Sequence, residues 1–143
     1  MKSLVLASLL TFSSSLFAGI EGDWVGTGSG SIGFLKTCKG EANVSVELKN
    51  SELLIGYGLD CGEEGDLYNE TENLVIHGNR LLHSGKVVGE INSSGFKYKL
   101  KFDDEDYTET GRGKINKDGS FQISLKGYVG IVRLFKYKAK LSR

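Results

Sequence analysis

The chain of 143 residues carries 18 basic and 18 acidic side chains, 20 glycines, two cysteines and no proline. This length suits one domain that buries its own core. The balanced charge gives no indication of nucleic-acid binding, so we expect no nucleic-acid partner.

Residues 1–18 have the pattern of an export signal. Lys2 precedes a short apolar run, Leu4–Phe12, and a stretch of small residues ends at Ala18 before Gly19. The apolar run is too short to span a bilayer, and Gly19 stands where a lipid-attachment cysteine would be needed. We therefore interpret residues 1–18 as a signal peptide and expect an exported protein, periplasmic or extracellular, with no membrane span in the mature chain.

Apolar and polar side chains alternate through most of the remaining sequence. The alternation is clearest in Phe96–Phe102, where lysine occupies every second position, and it is typical of a half-buried strand. Turn signals such as Asn50-Ser51 and Gly78-Asn79 separate the runs. The pattern predicts strands near 22–34, 41–49, 52–59, 73–77, 80–92 with a bulge at Ser84-Gly85, 95–102, 107–115, 120–128 and 131–141.

Short connections between consecutive strands are typical of an antiparallel meander. About eight or nine strands in this length favour an up-and-down barrel over a Greek-key sandwich. Closure of the barrel also removes exposed sheet edges. Proline is one common means of blocking strand pairing at such edges, and this chain contains none. We expect an all-β fold in which residues 19–143 form a single antiparallel up-and-down β-barrel, with residues 61–72 as an acidic loop or a brief helical turn.

Cys38 and Cys61 are the only cysteines. An even pair in an exported chain favours a disulfide over a metal site or a catalytic thiol. In the predicted meander both residues lie in loops at one end of the barrel, so a bond between them is geometrically sensible.

Other short motifs carry little chemistry. Gly28–Gly33 has the spacing of a dinucleotide-binding fingerprint, but that motif needs a helix after it, and none is predicted here. His77 and His83 are the only histidines, which leaves no recognisable zinc or catalytic arrangement. The acidic runs at 60–72 and 103–106 do not follow the EF-hand calcium pattern. We therefore expect no metal, no cofactor and no enzymatic activity.

The start of the first strand carries the one suggestive motif, Gly22-Asp23-Trp24. A Gly-x-Trp at this place in an exported all-β chain resembles the calycins, the group that includes lipocalins and avidins. The resemblance implies that Trp24 closes one end of the barrel beneath a basic residue from the end of the last strand, here Arg143 or Lys140. A tryptophan that merely fills the core is the alternative.

The phase of the strands predicts which residues face the interior. Tyr57, Tyr98 and Tyr137 share the apolar phase of their strands, which would set three hydroxyls among apolar walls, as in small-molecule sites. Glu109 and Arg133 fall in the same phase, where they would be tolerated as a pair or beside a polar ligand group. A bulge that turns either charge toward water is the alternative. Glycines at positions 26, 28 and 30 would let the curved barrel wall bend or would leave interior space.

These features favour a non-enzymatic binding protein that holds a small apolar or amphipathic ligand in the barrel. The alternative is a protein-interaction module, such as an inhibitor of an envelope or extracellular enzyme, that uses the 61–72 loop. An outer-membrane barrel fits less well because the chain ends in Arg143 rather than an aromatic residue. The opening also resembles nitrobindin-type haem barrels, but no histidine follows His83 to bind iron.

Overall fold

The structure is a computed structural model that describes residue 17, residues 19–32 and residues 35–143. The predicted signal peptide lies almost entirely outside the described residues. The fold is all-β, and its strands form one antiparallel sheet. The strands are β1 (Gly22–Ile32), β2 (Leu35–Lys49), β3 (Glu52–Asp60), β4 (Asp66–Glu70), β5 (Leu74–His77), β6 (Arg80–His83), β7 (Lys86–Asn92), β8 (Gly95–Phe102), β9 (Tyr107–Ile115), β10 (Phe121–Val129) and β11 (Val132–Ser142).

The hydrogen bonds of the sheet run in a ring. Each strand pairs with the next along the chain, except that β3 pairs with both β4 and β5, and β11 closes the ring by pairing with β1. Asp60 of β3 lies opposite Asp66 of β4, whereas Leu53 lies opposite Leu74 of β5. Therefore β4 and β5 follow one another along the same side of β3, and the meander closes as a barrel, as the sequence predicts.

The described residues form 11 strands, which is more than expected, for two local reasons. Ser84 and Gly85 have φ values of 51° and 78°, which suit a two-residue hairpin turn rather than a bulge, so residues 80–92 divide into β6 and β7. The segment 61–72 is neither a loop nor only a helical turn, because a 3-10 turn at Gly62–Glu64 is followed by β4. In addition, β2 begins at Leu35, so Cys38 lies in a strand.

The two ends of the barrel differ. We call the end at which β1 begins and β11 ends the closed end, and the end at which β1 ends and β9 begins the open end. At the closed end Trp24 is 1% exposed and its ring meets the edge of Phe121 at 5.0 Å between centroids. Its indole N–H donates to the carbonyl of Ile20 at 3.1 Å. Apolar side chains therefore fill this end.

Arg143 covers Trp24 from outside. Its guanidinium carbon lies 4.3 Å from the ring centroid, and its Nη1 and Nη2 donate to the carbonyls of Glu21 at 2.8 Å and Gly19 at 3.0 Å. Of the two basic residues expected here, Arg143 is the one over the ring. Its hydrogen bonds tie the segment before β1 to the end of β11.

The early glycines create less interior space than the sequence suggests. A Cβ on Gly26 would meet the backbone of Lys140, and one on Gly28 would lie 2.6 Å from the carbonyl oxygen of Lys138. At these positions glycine allows the close approach of β11 instead of leaving a void. Gly30 alone of the three lines the cavity described below.

Candidate ligand site at the open end of the barrel

A cavity of about 300 Å³ opens at the open end. Strands β1, β3, β4, β9 and β11 contribute its walls. The side chains that line the cavity include Ile32, Tyr57, Leu67, Glu109, Phe135 and Tyr137. Apolar groups therefore surround a small number of polar ones, as in small-molecule sites.

Glu109 is the central polar group. It faces inward on β9, opposite Leu100 of β8 and Gly127 of β10, and it is 8% exposed. Its Oε1 accepts a hydrogen bond from the hydroxyl of Tyr98 at 3.0 Å. Burial raises the pKa of this carboxyl, the Tyr98 hydrogen bond opposes the shift, and the negative charge of Glu72 adds to it. Among the described residues no cation lies within ion-pair distance of Glu109, so a donor or cation on a ligand would find an unneutralised acceptor.

Aromatic side chains surround this carboxyl. Tyr57 stacks on Phe135 at 6.4 Å between ring centroids and tilts against Tyr137 at 5.0 Å. Burial, together with the Glu109 carboxylate, raises the pKa of Tyr57 to about 12. Burial likewise raises the pKa of Tyr98 well above its ordinary value, with the charge of Glu109 as the second cause. These hydroxyls therefore stay protonated and act as hydrogen-bond donors at neutral pH.

The three tyrosines predicted to line the site have different roles in the structure. Tyr57 lines the cavity, and Tyr98 lies behind Glu109 and supports it. Tyr137 lines the cavity with its ring, but its hydroxyl donates to the carbonyl of Gly58 at 2.8 Å. That hydrogen bond fixes β11 against β3, so the Tyr137 hydroxyl is less available to a ligand than its ring.

Arg133 does not face the interior as its phase suggests. A register shift between Gly127 and Tyr128 sets Arg133 opposite Tyr128, with Leu134 as the extra residue, and the side chain is exposed. The expected interior pair between Glu109 and Arg133 is therefore absent. A bulge therefore turns Arg133 toward solvent, which was one of the two expected outcomes. Glu109 stays inside the barrel because β9 pairs with both of its neighbours in regular register.

Sequence reasoning missed several residues of the site. Tyr107 shares the phase of Glu109, two residues away, and lines the cavity beside it; this phase was a usable signal. Ile32 carries the apolar wall to the rim and is 64% exposed. Asn69 and Leu67 lie on β4, and they could not be placed because their segment was predicted to be irregular.

The predicted disulfide is present at this end. Cys38 on β2 bonds to Cys61, the residue after β3, with the Cα atoms 5.6 Å apart. Cys38 lies opposite Gly30 of the cavity wall. The bond therefore links the chain just after β3 to the part of β2 that pairs with the cavity-lining segment of β1.

The described residues meet neither the requirements of a metal site nor those of a membrane-spanning helix. Within the described part of the chain, no group of three or more histidine, cysteine, aspartate or glutamate side chains is arranged to hold a metal ion. His83 lies 4.0 Å from Glu72 and meets Phe102 edge-on at 5.9 Å, which is an ordinary packing role. Across the residues described, no helix has the length and apolarity to cross a membrane.

Comparisons with known proteins identify a similar fold only. No protein-family model and no curated protein matches the chain. A crystal structure of a protein of unknown function from the DUF3598 family of Nostoc punctiforme is similar, with a TM-score of 0.60 and 13% sequence identity. The match covers 88% of this chain and 48% of that one, so this chain corresponds to about half of that protein's length.

Proposed function

We propose that this protein is an exported, calycin-like carrier that holds a small amphipathic molecule at the open end of its barrel. The observation that supports the proposal best is the position of Glu109. A buried carboxyl, hydrogen-bonded by one tyrosine and without a cation among the described residues, ends a cavity that is otherwise mainly apolar and aromatic. Burying such a group costs free energy unless another group supplies hydrogen bonds.

The chemistry of the walls indicates the kind of ligand. A polar head that donates hydrogen bonds, or a cationic amine, would lie against Glu109 and Tyr57. An apolar tail would lie along Phe135, Leu67 and Ile32 toward the rim. A volume of about 300 Å³ is at the lower limit of small-molecule sites, so the ligand is small, with a short chain or a single ring system.

Two features support an exported location for this carrier. The Cys38–Cys61 disulfide is typical of an oxidising compartment. The N-terminal sequence has the pattern of a signal peptide. We therefore place the carrier in the periplasm or outside the cell and assign it no catalytic step.

A displacement titration tests the head-group chemistry. The neutral apolar probe N-phenyl-1-naphthylamine is bound first, and octylamine or octanoate is then added to displace it. We expect saturable probe binding and displacement by octylamine at concentrations about tenfold lower than octanoate, equivalent to about 1.4 kcal/mol. Glu109→Gln should abolish the preference, whereas Glu90→Gln, which changes an exposed acid paired with Lys97, should keep it. Absence of saturable probe binding would contradict the carrier proposal.

A protein-interaction module is the second candidate, and the edge of β4 favours it. Within the described sheet β4 pairs with β3 alone, so its other edge can receive a strand from a partner. Native mass spectrometry of protein purified from its own host separates the two candidates. A retained small molecule supports the carrier, and a retained protein supports the interaction module.

A further inference from the structure

The outer wall formed by β8, β9, β10 and β11 is strongly basic. Lysine occupies every second position of Lys97–Lys101 and of Lys136–Lys140, and Arg112, Lys114 and Lys126 lie on the two strands between them. The only acid in these four fully described strands is Glu109, which faces the interior. The outward side of the wall therefore carries cations and neutral polar groups without a carboxylate.

The register of the strands orders these cations into rows. Lys97 lies opposite Arg112, Arg112 opposite Ser124, and Ser124 opposite Lys138. Neighbouring rows, which contain Lys114 or Lys126, lie two residues away along the strands, a separation of about 6.8 Å. Cations and hydroxyl groups therefore repeat across the sheet at the spacing of the strands.

The charges of this wall are largely unneutralised by the protein. Lys138, Arg133 and Lys126 lower the pKa of Lys136 by their positive charge, with Lys138 as the largest cause. Among the described residues, Lys97 is the one cation of the wall within 4.0 Å of a carboxylate, that of Glu90 at 3.2 Å, while Lys140 acts on the carboxylate of Asp118 from a longer distance. A polyanion bound here would relieve this repulsion.

Two furrows cross the wall between the rows. Their volumes are about 1000 Å³ and about 620 Å³, and both are lined by Arg112, Ser124 and Lys138, which form the ridge between them. The first is also lined by Lys39, Lys114, Lys140 and one acid, Glu41 on β2, and the second by Lys97, Lys99 and Lys126. An extended chain in either furrow would have cations on both sides.

We propose that this wall binds a linear acidic polysaccharide, whose carboxylate or sulfate groups pair with the rows of cations. The serine, threonine and glutamine side chains between the cations can exchange hydrogen bonds with sugar hydroxyls. This site lies on the outside of the barrel and does not depend on a ligand in the cavity.

Two other anionic partners fit the wall less well. Single-stranded nucleic acid is held by aromatic side chains on which bases stack, and Tyr128 is the one aromatic residue facing outward on these strands. An anionic bilayer would touch the ridges but not the furrows. The exposed apolar tip at Ile131, which is 98% exposed, lies beside the acidic residues 103–106 rather than on the basic wall.

Fluorescence anisotropy with labelled polygalacturonate oligosaccharide tests the proposal. The wall variant Arg112→Gln/Lys138→Gln is compared with the control Lys49→Gln/Lys117→Gln, which removes the same charge from positions outside the wall. We expect the wall variant to weaken binding by about tenfold or more, the control to stay within about twofold, and the affinity to fall as salt rises. Thermal unfolding confirms that both variants fold.

Two matched ligands establish the class of partner. They are oligothymidylate with the same number of charges, and vesicles of phosphatidylcholine and phosphatidylglycerol in equal parts. Tighter binding of polygalacturonate than of either, at the same salt concentration, supports the proposal. Equal binding by the wall and control variants, or tighter binding of oligothymidylate or vesicles, would overturn it.

Discussion

The closed and open ends of the barrel are built from the same alternating strands but do different things. At the closed end the inward side chains are apolar, Trp24 packs on Phe121, and its single polar atom bonds to the carbonyl of Ile20. At the open end the inward positions include Tyr57 and Glu109, and a cavity is left between them. Apolar side chains can fill an end completely, whereas buried polar groups require partners. This difference in inward residue type separates a structural plug from a candidate binding site.

The largest effect is expected from removing the plug. Trp24→Ala should destabilise the protein by about 3–5 kcal/mol, because it leaves a large cavity and removes a buried hydrogen bond. Urea unfolding measures the change. Tyr68→Ala, at a side chain that is 65% exposed, is the control and should cost less than about 1 kcal/mol. Similar losses in the two variants would contradict the distinction between the ends.

The disulfide should be the main stabilising element of the open end. Replacing both Cys38 and Cys61 by serine should cost about 3 kcal/mol in the chain-entropy model for a loop of this size. Comparison of unfolding with and without a reductant gives an independent value for the unmutated protein. Free thiols in the denatured, unreduced protein would show that the bond does not form.

The contact of Arg143 with Trp24 should contribute less. Arg143→Gln removes a cation–π contact and hydrogen bonds to two carbonyls, for a loss of about 0.5–2 kcal/mol. Lys140→Gln, from the same end of β11, is the matched control and should stay within about 0.5 kcal/mol. If both variants unfold like the unmodified protein, Arg143 does not stabilise the closed end.

Glu109 should give the open end a pH dependence that the closed end lacks. Burial raises the pKa of Glu109 above its ordinary value of 4.5, so the folded protein binds more protons than the unfolded one between the two pKa values. Stability contributed by this group is therefore lost as pH rises through that interval. Glu109→Gln should remove this part of the slope and make the protein more stable than the unmodified one at pH values above that interval.

Unfolding at a series of pH values measures this effect as the difference in slope between the variant and the unmodified protein. Glu90→Gln provides the control, since Glu90 is exposed and paired with Lys97. An unchanged slope in Glu109→Gln would contradict the burial of the carboxyl.

The alternation of apolar and polar residues along each strand predicted which face of the sheet most side chains occupy. It placed Glu109, Tyr57 and Tyr98 inside, because their strands keep a regular register. It failed at Arg133, where one extra residue at the Gly127/Tyr128 shift reverses the face of the side chain. Such a bulge is set by the pairing of β10 with β11 and leaves no clear mark in either strand alone.

Two larger features depend on strand pairing and could not be assembled from the sequence alone. The extended conformation of β4 depends on its pairing with β3. The acidic, glycine-containing sequence of this segment does not reveal that tertiary interaction. The zero net charge conceals the basic wall, because a sum of charges does not record that β8–β11 carry cations outward. Strand pairing was needed to bring those cations into rows.

The most direct test of the account is to locate a bound amphiphile by ¹H–¹⁵N NMR. Octylamine is titrated into labelled protein, and amide shifts are followed around both ends of the barrel. The account predicts saturable shifts at the open end, at Gly30, Tyr107, Glu109 and Phe135, with little change at Ile20, Trp24 and Phe121. Shifts confined to the closed end, or no saturable shifts, would contradict the claim that the open end is the binding site.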